Sequence, residues 1–195
     1  MPLWGASDSD ESKPKNLTTA EKKLVFANAS GWVLEAGSAL SGNDNTSATP
    51  ELLVAISALS TNLGAADVTE VEWITTAADK SAGFTLSVRV RYNEAVAVTG
   101  SPTLAVTNGN QGSGSGRGPH TLVYASGTGT NELVFSLAIA AANAATNAGD
   151  ILSIGAQSIA LAGGTIKDTA DGTTASSVVI SSALGTAAGT LTVTA

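Results

Sequence analysis

The stretch GFTLSVRVRYNEAVAV, residues 83–98, carries the clearest structural signal in this chain of 195 residues. Apolar and polar side chains alternate strictly in its first half. One face carries Phe84, Leu86, Val88, Val90 and Tyr92, and the other carries Thr85, Ser87, Arg89 and Arg91. A repeat of two residues is that of a β-strand with one face packed on a core and the other in solvent. We therefore predict a strand here, with its five apolar side chains buried and both arginines facing outward.

The chain after residue 66 carries the same kind of signal. The stretch NELVFSLAI, residues 131–139, repeats the alternation, and turn-forming stretches such as TGSP and ADGT punctuate the region. Further short candidate strands are Glu70–Ile74, Thr103–Val106, Thr121–Tyr124, Leu152–Ile154, Ser177–Ile180 and Thr190–Thr194. Seven or more short strands with turns at this spacing are typical of an antiparallel β-sandwich. We predict an all-β chain in which residues 67–195 form such a sandwich.

Residues 18–66 predict a small β-rich module in front of the sandwich. Residues 24–34, LVFANASGWVL, place Asn and Gly between two apolar runs, which favours a hairpin. Thr18 and Glu21 have the spacing of a helix capping box, an alternative for the start of this module. Residues 51–60, ELLVAISALS, fit either a buried strand or a helix, because so short an apolar run has no diagnostic period.

Residues 1–17 form, in our interpretation, an extended arm. The segment SDSDESKPK within it is polar and has little to bury. The exceptions are Leu3 and Trp4, which either fold back on their own domain or dock into a partner. Because apolar and aromatic side chains concentrate at the cores of interfaces, we predict that Leu3, Trp4, Phe26 and Trp32 bind a protein partner.

Composition excludes several classes of protein. The chain has 9 basic and 16 acidic residues and a net charge of −7, so it lacks the clustered Lys and Arg that hold nucleic acid. It has no cysteine, which excludes disulfides and thiolate metal sites. No apolar run approaches the roughly 18 residues that suggest a membrane helix, so we expect no membrane span.

The sequence contains no set of residues that indicates catalysis, and we expect neither an enzyme nor a cofactor. His120, the single histidine, borders a Gly/Ser-rich loop and is predicted to be a solvated loop residue. Asp168 and Asp171, with Glu94, are candidates for a calcium site at one end of the sandwich. Turn bonding of the two aspartates to their own backbone explains them with fewer assumptions, so we predict no metal.

Four short motifs, in order, resemble the bacterial immunoglobulin-like modules of cell-surface and adhesion proteins. The resemblance lies within residues 67–195 and implies an immunoglobulin-like fold with these motifs at its turns. The motifs are NEAV at 93–96, GSPTL at 100–104, YASGTGT at 124–130 and GTIKD at 164–168.

The start of the chain resembles virion structural proteins in tailed phages of marine cyanobacteria. The motifs that carry the resemblance are MPLWG at 1–5, an acidic stretch followed by KPK at 13–15, and GWV at 31–33. The first residues do not predict an export leader. The resemblance implies a route that needs none, because virions are assembled in the host cytoplasm and released by lysis.

The two resemblances together imply a non-enzymatic virion protein on the particle surface, most directly a capsid decoration protein. Its partner would be the major capsid protein or another virion protein, and the immunoglobulin-like module could also contact the host surface. Two alternatives stay open: a neck, tail or fibre component of the virion, and a bacterial surface adhesin module that binds a glycan or protein.

Overall fold

The computed structural model describes residues 14, 16–109, 119–143 and 145–195 and has an all-β architecture. The helices in these ranges are short: α1 (Thr19–Lys22), α2 (Leu59–Leu63) and α3 (Ser182–Ala187). The strands are β1 (Val25–Asn28), β2 (Gly31–Leu34), β3 (Glu51–Ala55), β4 (Val68–Trp73), β5 (Ala78–Asp79), β6 (Phe84–Thr99), β7 (Thr103–Gly109), β8 (His120–Ser126), β9 (Thr130–Ile139), β10 (Ile151–Ser153), β11 (Gln157–Ser158), β12 (Thr165–Asp168), β13 (Val179–Ile180) and β14 (Thr190–Thr194). The predicted all-β class is confirmed.

Most of the strands form one mixed sheet. Its order is β3-β2-β1-β6-β9-β8-β7-β10-β14-β5, while β4 and β12 also pair with β6, and β11 and β13 pair separately. Two pairs, β1 with β6 and β14 with β5, are parallel rather than antiparallel as we predicted. The far end of the sheet returns to the centre, because β5 contacts β6 and Trp73 Nε1 donates to the Gly189 carbonyl at 3.4 Å. The part of the sheet from β6 to β5 therefore curls around one core.

The central strand β6 confirms most of the predicted alternation. Leu86, Val88, Val90 and Tyr92 are buried, Phe84 is half-buried, and Arg89 is partly exposed. The prediction for Arg91 is wrong, because its side chain is only 5% exposed. The segment of residues 18–66, which we call the N-terminal module, covers this part of the strand.

The NEAV motif does not form the turn that the resemblance implied, because β6 continues through it. Strand β9 leaves β6 after Arg91 and returns at Val96. In that gap β1 pairs with β6 through Ala27 and Glu94. On the opposite edge, the pairing of β4 with β6 stops at Tyr92 and the pairing of β12 with β6 starts at Val96. Glu94 therefore lies on the part of β6 where its partner strands change on both edges.

The N-terminal module contains both structures that the sequence offered as alternatives. The Thr18 hydroxyl accepts from the Glu21 amide and the Glu21 carboxylate accepts from the Thr18 amide, so a capping box starts α1. The hairpin of β1 and β2 follows directly. Gly31 has φ 138°, and a Cβ there would lie 1.9 Å from the Val54 carbonyl oxygen, so only glycine fits where β2 meets β3.

Residues 51–60 form a strand and then the start of a helix, α2. The strand β3 is mostly exposed rather than buried, because it is the outermost strand of the sheet. An apolar strand at the edge of a sheet leaves its side chains exposed, and one row of its backbone N–H and C=O groups can pair with another strand.

Two separate apolar clusters form the cores. The cluster of the N-terminal module consists of Val25, Ala27, Trp32, Leu34, Leu59 and Leu63. The cluster of residues 67–195, the C-terminal module, includes Leu86, Val88, Val90, Tyr92, Leu104, Leu122, Leu133, Phe135, Leu152 and Val193. The two modules meet along β6, where the candidate sites lie.

Candidate functional site

The predicted partner-binding residues lie in different environments. Leu3 and Trp4 fall outside the described residues. Trp32 is 1% exposed and packs in the core of the N-terminal module. Phe26 is half-buried on β1. Of the two described residues, only Phe26 has side-chain surface that a partner could touch directly.

Phe26 lines a groove between the two modules. The groove has a volume of about 410 Å³, and its walls include Phe26, Glu35 and Pro50 from the N-terminal module and Thr130 and Glu132 from β9. Two of these residues are carboxylates, so the groove is amphipathic rather than purely apolar. It runs beside the charged contacts that join the modules.

A network of charged side chains joins the modules around Arg91. The Arg91 guanidinium lies 2.7 Å from Glu35 Oε2, 2.7 Å from Glu132 Oε1 and 3.3 Å from Glu72 Oε1. Its Nη1 also donates to the Lys23 carbonyl at 3.3 Å. Lys23 and Glu35 belong to the N-terminal module and lie 68 and 56 residues from Arg91 in sequence, so one buried cation connects the two modules.

Further ion pairs extend this network. Lys23 pairs with Glu70, and Arg91 Nε lies 3.9 Å from the other oxygen of Glu70. Arg89 Nη1 lies 3.0 Å from Glu72 Oε1. The cluster holds three cations and four carboxylates: Lys23, Arg89 and Arg91 against Glu35, Glu70, Glu72 and Glu132. It has one more carboxylate than it has cations.

Glu132 has an unusual pKa within this cluster. Burial raises its pKa, the hydrogen bond and negative charge of Glu35 raise it further, and Arg91 and Arg89 oppose the rise, leaving the pKa at about 7. A carboxyl group near neutrality binds a proton over a range where exposed glutamates are ionised. The junction of the modules therefore contains a group that titrates close to neutral pH.

The sequence did carry a signal for this network that our prediction missed. Glu70 and Glu72 alternate on β4 as Arg89 and Arg91 do on β6, and the registers pair Glu70 with Arg91 and Glu72 with Arg89. Opposite charges facing one another across neighbouring strands stabilise a sheet. The matching E-x-E and R-x-R spacing indicates the pairing, but it does not indicate that Arg91 is buried.

Glu94 is the second unusual charged residue of the junction. It is 0% exposed, and within the described part of the chain neither of its carboxylate oxygens has a hydrogen-bond partner. Burial raises the pKa of Glu94 to about 8, with smaller contributions from the charges of Asp168 and Asp67. Buried polar groups are nearly always paired, so an unpaired carboxylate requires an explanation.

A cavity of about 220 Å³ adjoins Glu94. Asn28 and Ser60 line it from the N-terminal module, and Asp168 and Thr169 line it from the end of β12. Asp168 is 2% exposed, and its Oδ1 accepts from the Ala170 amide at 2.7 Å. The cavity thus brings two buried carboxyl groups together at the line where the modules meet.

Asp171 does not belong to this cavity. Its exposed carboxylate accepts from the amides of Thr173 and Thr174, each at 2.8 Å, and from the Thr174 hydroxyl. The predicted turn bonding of Asp168 and Asp171 is therefore confirmed. Of the three acids in the calcium alternative, the structure brings together Glu94 and Asp168. No group of three ligating His, Cys, Asp or Glu side chains occurs within the ranges that the structure describes.

His120 differs from its prediction as a solvated loop residue. It begins β8, is 6% exposed, and its Nε2 lies 3.3 Å from Thr146 Oγ1. Burial lowers the pKa of His120, although Asp150 acts in the opposite direction. Other segments of the same chain, including the one that carries Thr146, cover the imidazole. The Gly/Ser-rich sequence beside His120 does not indicate this burial.

The outer edge of the N-terminal module carries exposed apolar side chains. Leu52 is 48% exposed and Leu53 is 36% exposed, and both lie on the edge strand β3. Single exposed leucines are ordinary, but among the described residues β3 is the end strand of the sheet, so its leucines add apolar surface to an edge with backbone groups available for pairing. This edge is the second surface of the module that a protein could bind.

Within the described ranges, every helix falls short of the length and hydropathy that crossing a membrane requires. No protein-family model, no curated protein and no solved structure matches this chain.

Proposed function

We propose that this chain is a non-enzymatic structural protein of a phage virion, most directly a capsid decoration protein. Its N-terminal region attaches to the major capsid protein or another virion protein, and the C-terminal module projects outward as an immunoglobulin-like domain. The observation that carries the proposal is the edge strand β3, whose Leu52 and Leu53 are exposed at the outer end of the sheet.

The arrangement of the two modules supports this proposal. The contacts of Arg91 and the pairing of β1 with β6 fix the N-terminal module onto the C-terminal module. A firm junction suits a protein that holds a projecting domain at a fixed angle on a particle. Strand addition at β3 would provide backbone hydrogen bonds, while Leu52 and Leu53 provide apolar burial worth about 25 cal/mol per Å².

The test is incorporation into particles that lack the native protein. We expect the unmodified protein to co-sediment with the capsids and Leu52→Glu to lose most of that association, because a charge would be buried at the contact. Val179→Glu is the matched control, because Val179 is 56% exposed but lies on the C-terminal module.

A chain that lacks residues 1–13 tests the predicted contribution of Leu3 and Trp4. It should fold and co-sediment more weakly than the full chain. Equal association of all variants with capsids would contradict the proposed mode of attachment. Co-sedimentation with isolated tails instead of capsids would assign the protein to the tail.

A further inference from the structure

The strongest unexplained feature of the molecule is the carboxylate of Glu94. An ionised carboxylate buried without a partner costs several kcal/mol, so a folded protein normally supplies a cation or a set of donors. Glu94 has neither in the described chain: both oxygens are unpaired, and no Lys, Arg or His lines the adjoining cavity.

Protonation alone does not satisfy this group. A protonated carboxyl would still need an acceptor for its O–H and a donor for its second oxygen. Within the described residues no donor reaches either Glu94 oxygen, so the second oxygen of a protonated Glu94 would still be unpaired. The negative charges of Asp168 and Asp67 act on the same group. This environment favours a ligand that is positively charged and binds oxygen.

We propose that the cavity between Glu94 and Asp168 binds a calcium ion that joins the N-terminal module to the C-terminal module. This site is independent of the proposed virion function, and it reverses the expectation of no metal drawn from the sequence. The two carboxylates would be the charged ligands. The remaining oxygens would come from Ser60, which also lines the cavity, and from water, since Asn28 Oδ1 already accepts from the amides of Ser30 and Gly31.

The choice of calcium follows from the donor set. All the polar atoms at hand are oxygen or amide groups, which exclude metals that prefer thiolate or imidazole. Calcium accepts six to eight oxygens in flexible geometry, whereas magnesium demands a regular octahedron and keeps most of its water. A mostly preformed cavity with two carboxylates and irregular neighbours suits the more flexible ion. With only two charged ligands, we expect a dissociation constant of about 0.1–1 mM.

The experiment measures calcium binding to the full chain after treatment with EDTA and dialysis. Isothermal titration with calcium chloride should show binding of one ion. At about 10 mM calcium the melting temperature should rise by roughly 3–10 °C, because a ligand of the folded state alone raises stability. Magnesium chloride at equal ionic strength should give a clearly smaller rise.

Three variants locate the site. Glu94→Gln and Asp168→Asn should each abolish the calcium-dependent rise, and two variants are used so that a folding failure in one leaves the other informative. Asp44→Asn is the matched control, because it removes an exposed carboxylate that does not line the cavity, and it should respond as the unmodified protein does.

Absence of calcium binding to the unmodified chain would overturn the proposal. So would an equal rise in Glu94→Gln and Asp168→Asn, because calcium would then bind elsewhere. An equal response to magnesium would overturn the assignment to calcium.

Discussion

Replacing Arg91 by methionine tests whether the buried cation holds the two modules together. Arg91→Met keeps the length and most of the apolar volume of the side chain but removes its charge. The side chain is 5% exposed and approaches Glu35 and Glu132 at 2.7 Å each. Without it, carboxylates of both modules would face one another across a poorly solvated space.

The expected loss can be estimated from these contacts. Each close ion pair amounts to about 4 kcal/mol at an effective dielectric constant of about 20, but the cost of desolvating the charges offsets much of the sum. Removing one partner of a buried network typically costs roughly 3–5 kcal/mol, because the remaining charges are left uncompensated. We expect Arg91→Met to lower the free energy of unfolding by that amount.

Arg89→Met is the matched control on the same strand. The Arg89 side chain is 31% exposed and contacts Glu72, which is 36% exposed. Exposed ion pairs contribute about 0–1 kcal/mol, so Arg89→Met should have a small effect. Urea unfolding, followed by tryptophan fluorescence and circular dichroism, measures both changes.

A double variant sharpens the test. Adding Glu132→Gln to Arg91→Met should recover part of the lost stability, because it removes one of the uncompensated carboxylates. The reasoning would be refuted if Arg91→Met cost no more than Arg89→Met. It would also be refuted if Glu132→Gln deepened the loss.

Two other predictions concern the core and pH. Val88→Ala should lower the free energy of unfolding by roughly 1–3 kcal/mol, because Val88 is fully buried and its truncation leaves a cavity. The control Val179→Ala changes an exposed site and should alter this free energy by less than about 0.5 kcal/mol. Urea unfolding measures both variants. The pKa of Glu132 is about 7 in the folded chain against a usual 4.5, so the folded state holds a proton that the unfolded state has lost between these values. The contribution of Glu132 to stability should therefore fall as pH rises from about 4.5 to about 7 and then level off. The free energy of unfolding of the unmodified protein minus that of Glu132→Gln, measured across this range, should follow that curve, and a difference that rises with pH would contradict the assignment.

Features that depend on neighbouring residues could be predicted from the amino-acid sequence. The alternation of residues 84–92 requires a strand, because only a repeat of two places every second side chain on one face. The hairpin around Gly31 and the turn bonding of Asp171 also arise within a few residues of chain. These were predicted correctly because the pattern that indicates each of them lies within a few neighbouring residues.

The sequence pattern predicted burial less well on β6, because this strand contacts both modules. The alternation predicted which face of β6 is apolar, but it could not show that a separate module covers part of the polar face. The E-x-E and R-x-R spacing of β4 and β6 predicts cross-strand pairs, which are equally compatible with an exposed sheet. The roles of Leu3, Trp4 and the phage resemblance remain predictions, to be decided by incorporation into particles.

The environments of Arg91, Glu94 and His120 could not be predicted, because they depend on contacts between segments that are distant in sequence. Arg91 is buried by Lys23 and Glu35, and its hydrogen bond to Glu35 spans 56 residues of sequence. Glu94 loses its solvent because β1 pairs beside it where β9 has left β6. Burial of a charged side chain depends on which distant segment packs over it, and no local pattern of residues specifies that segment. The electrostatic properties of the junction therefore follow from how the modules pack against each other.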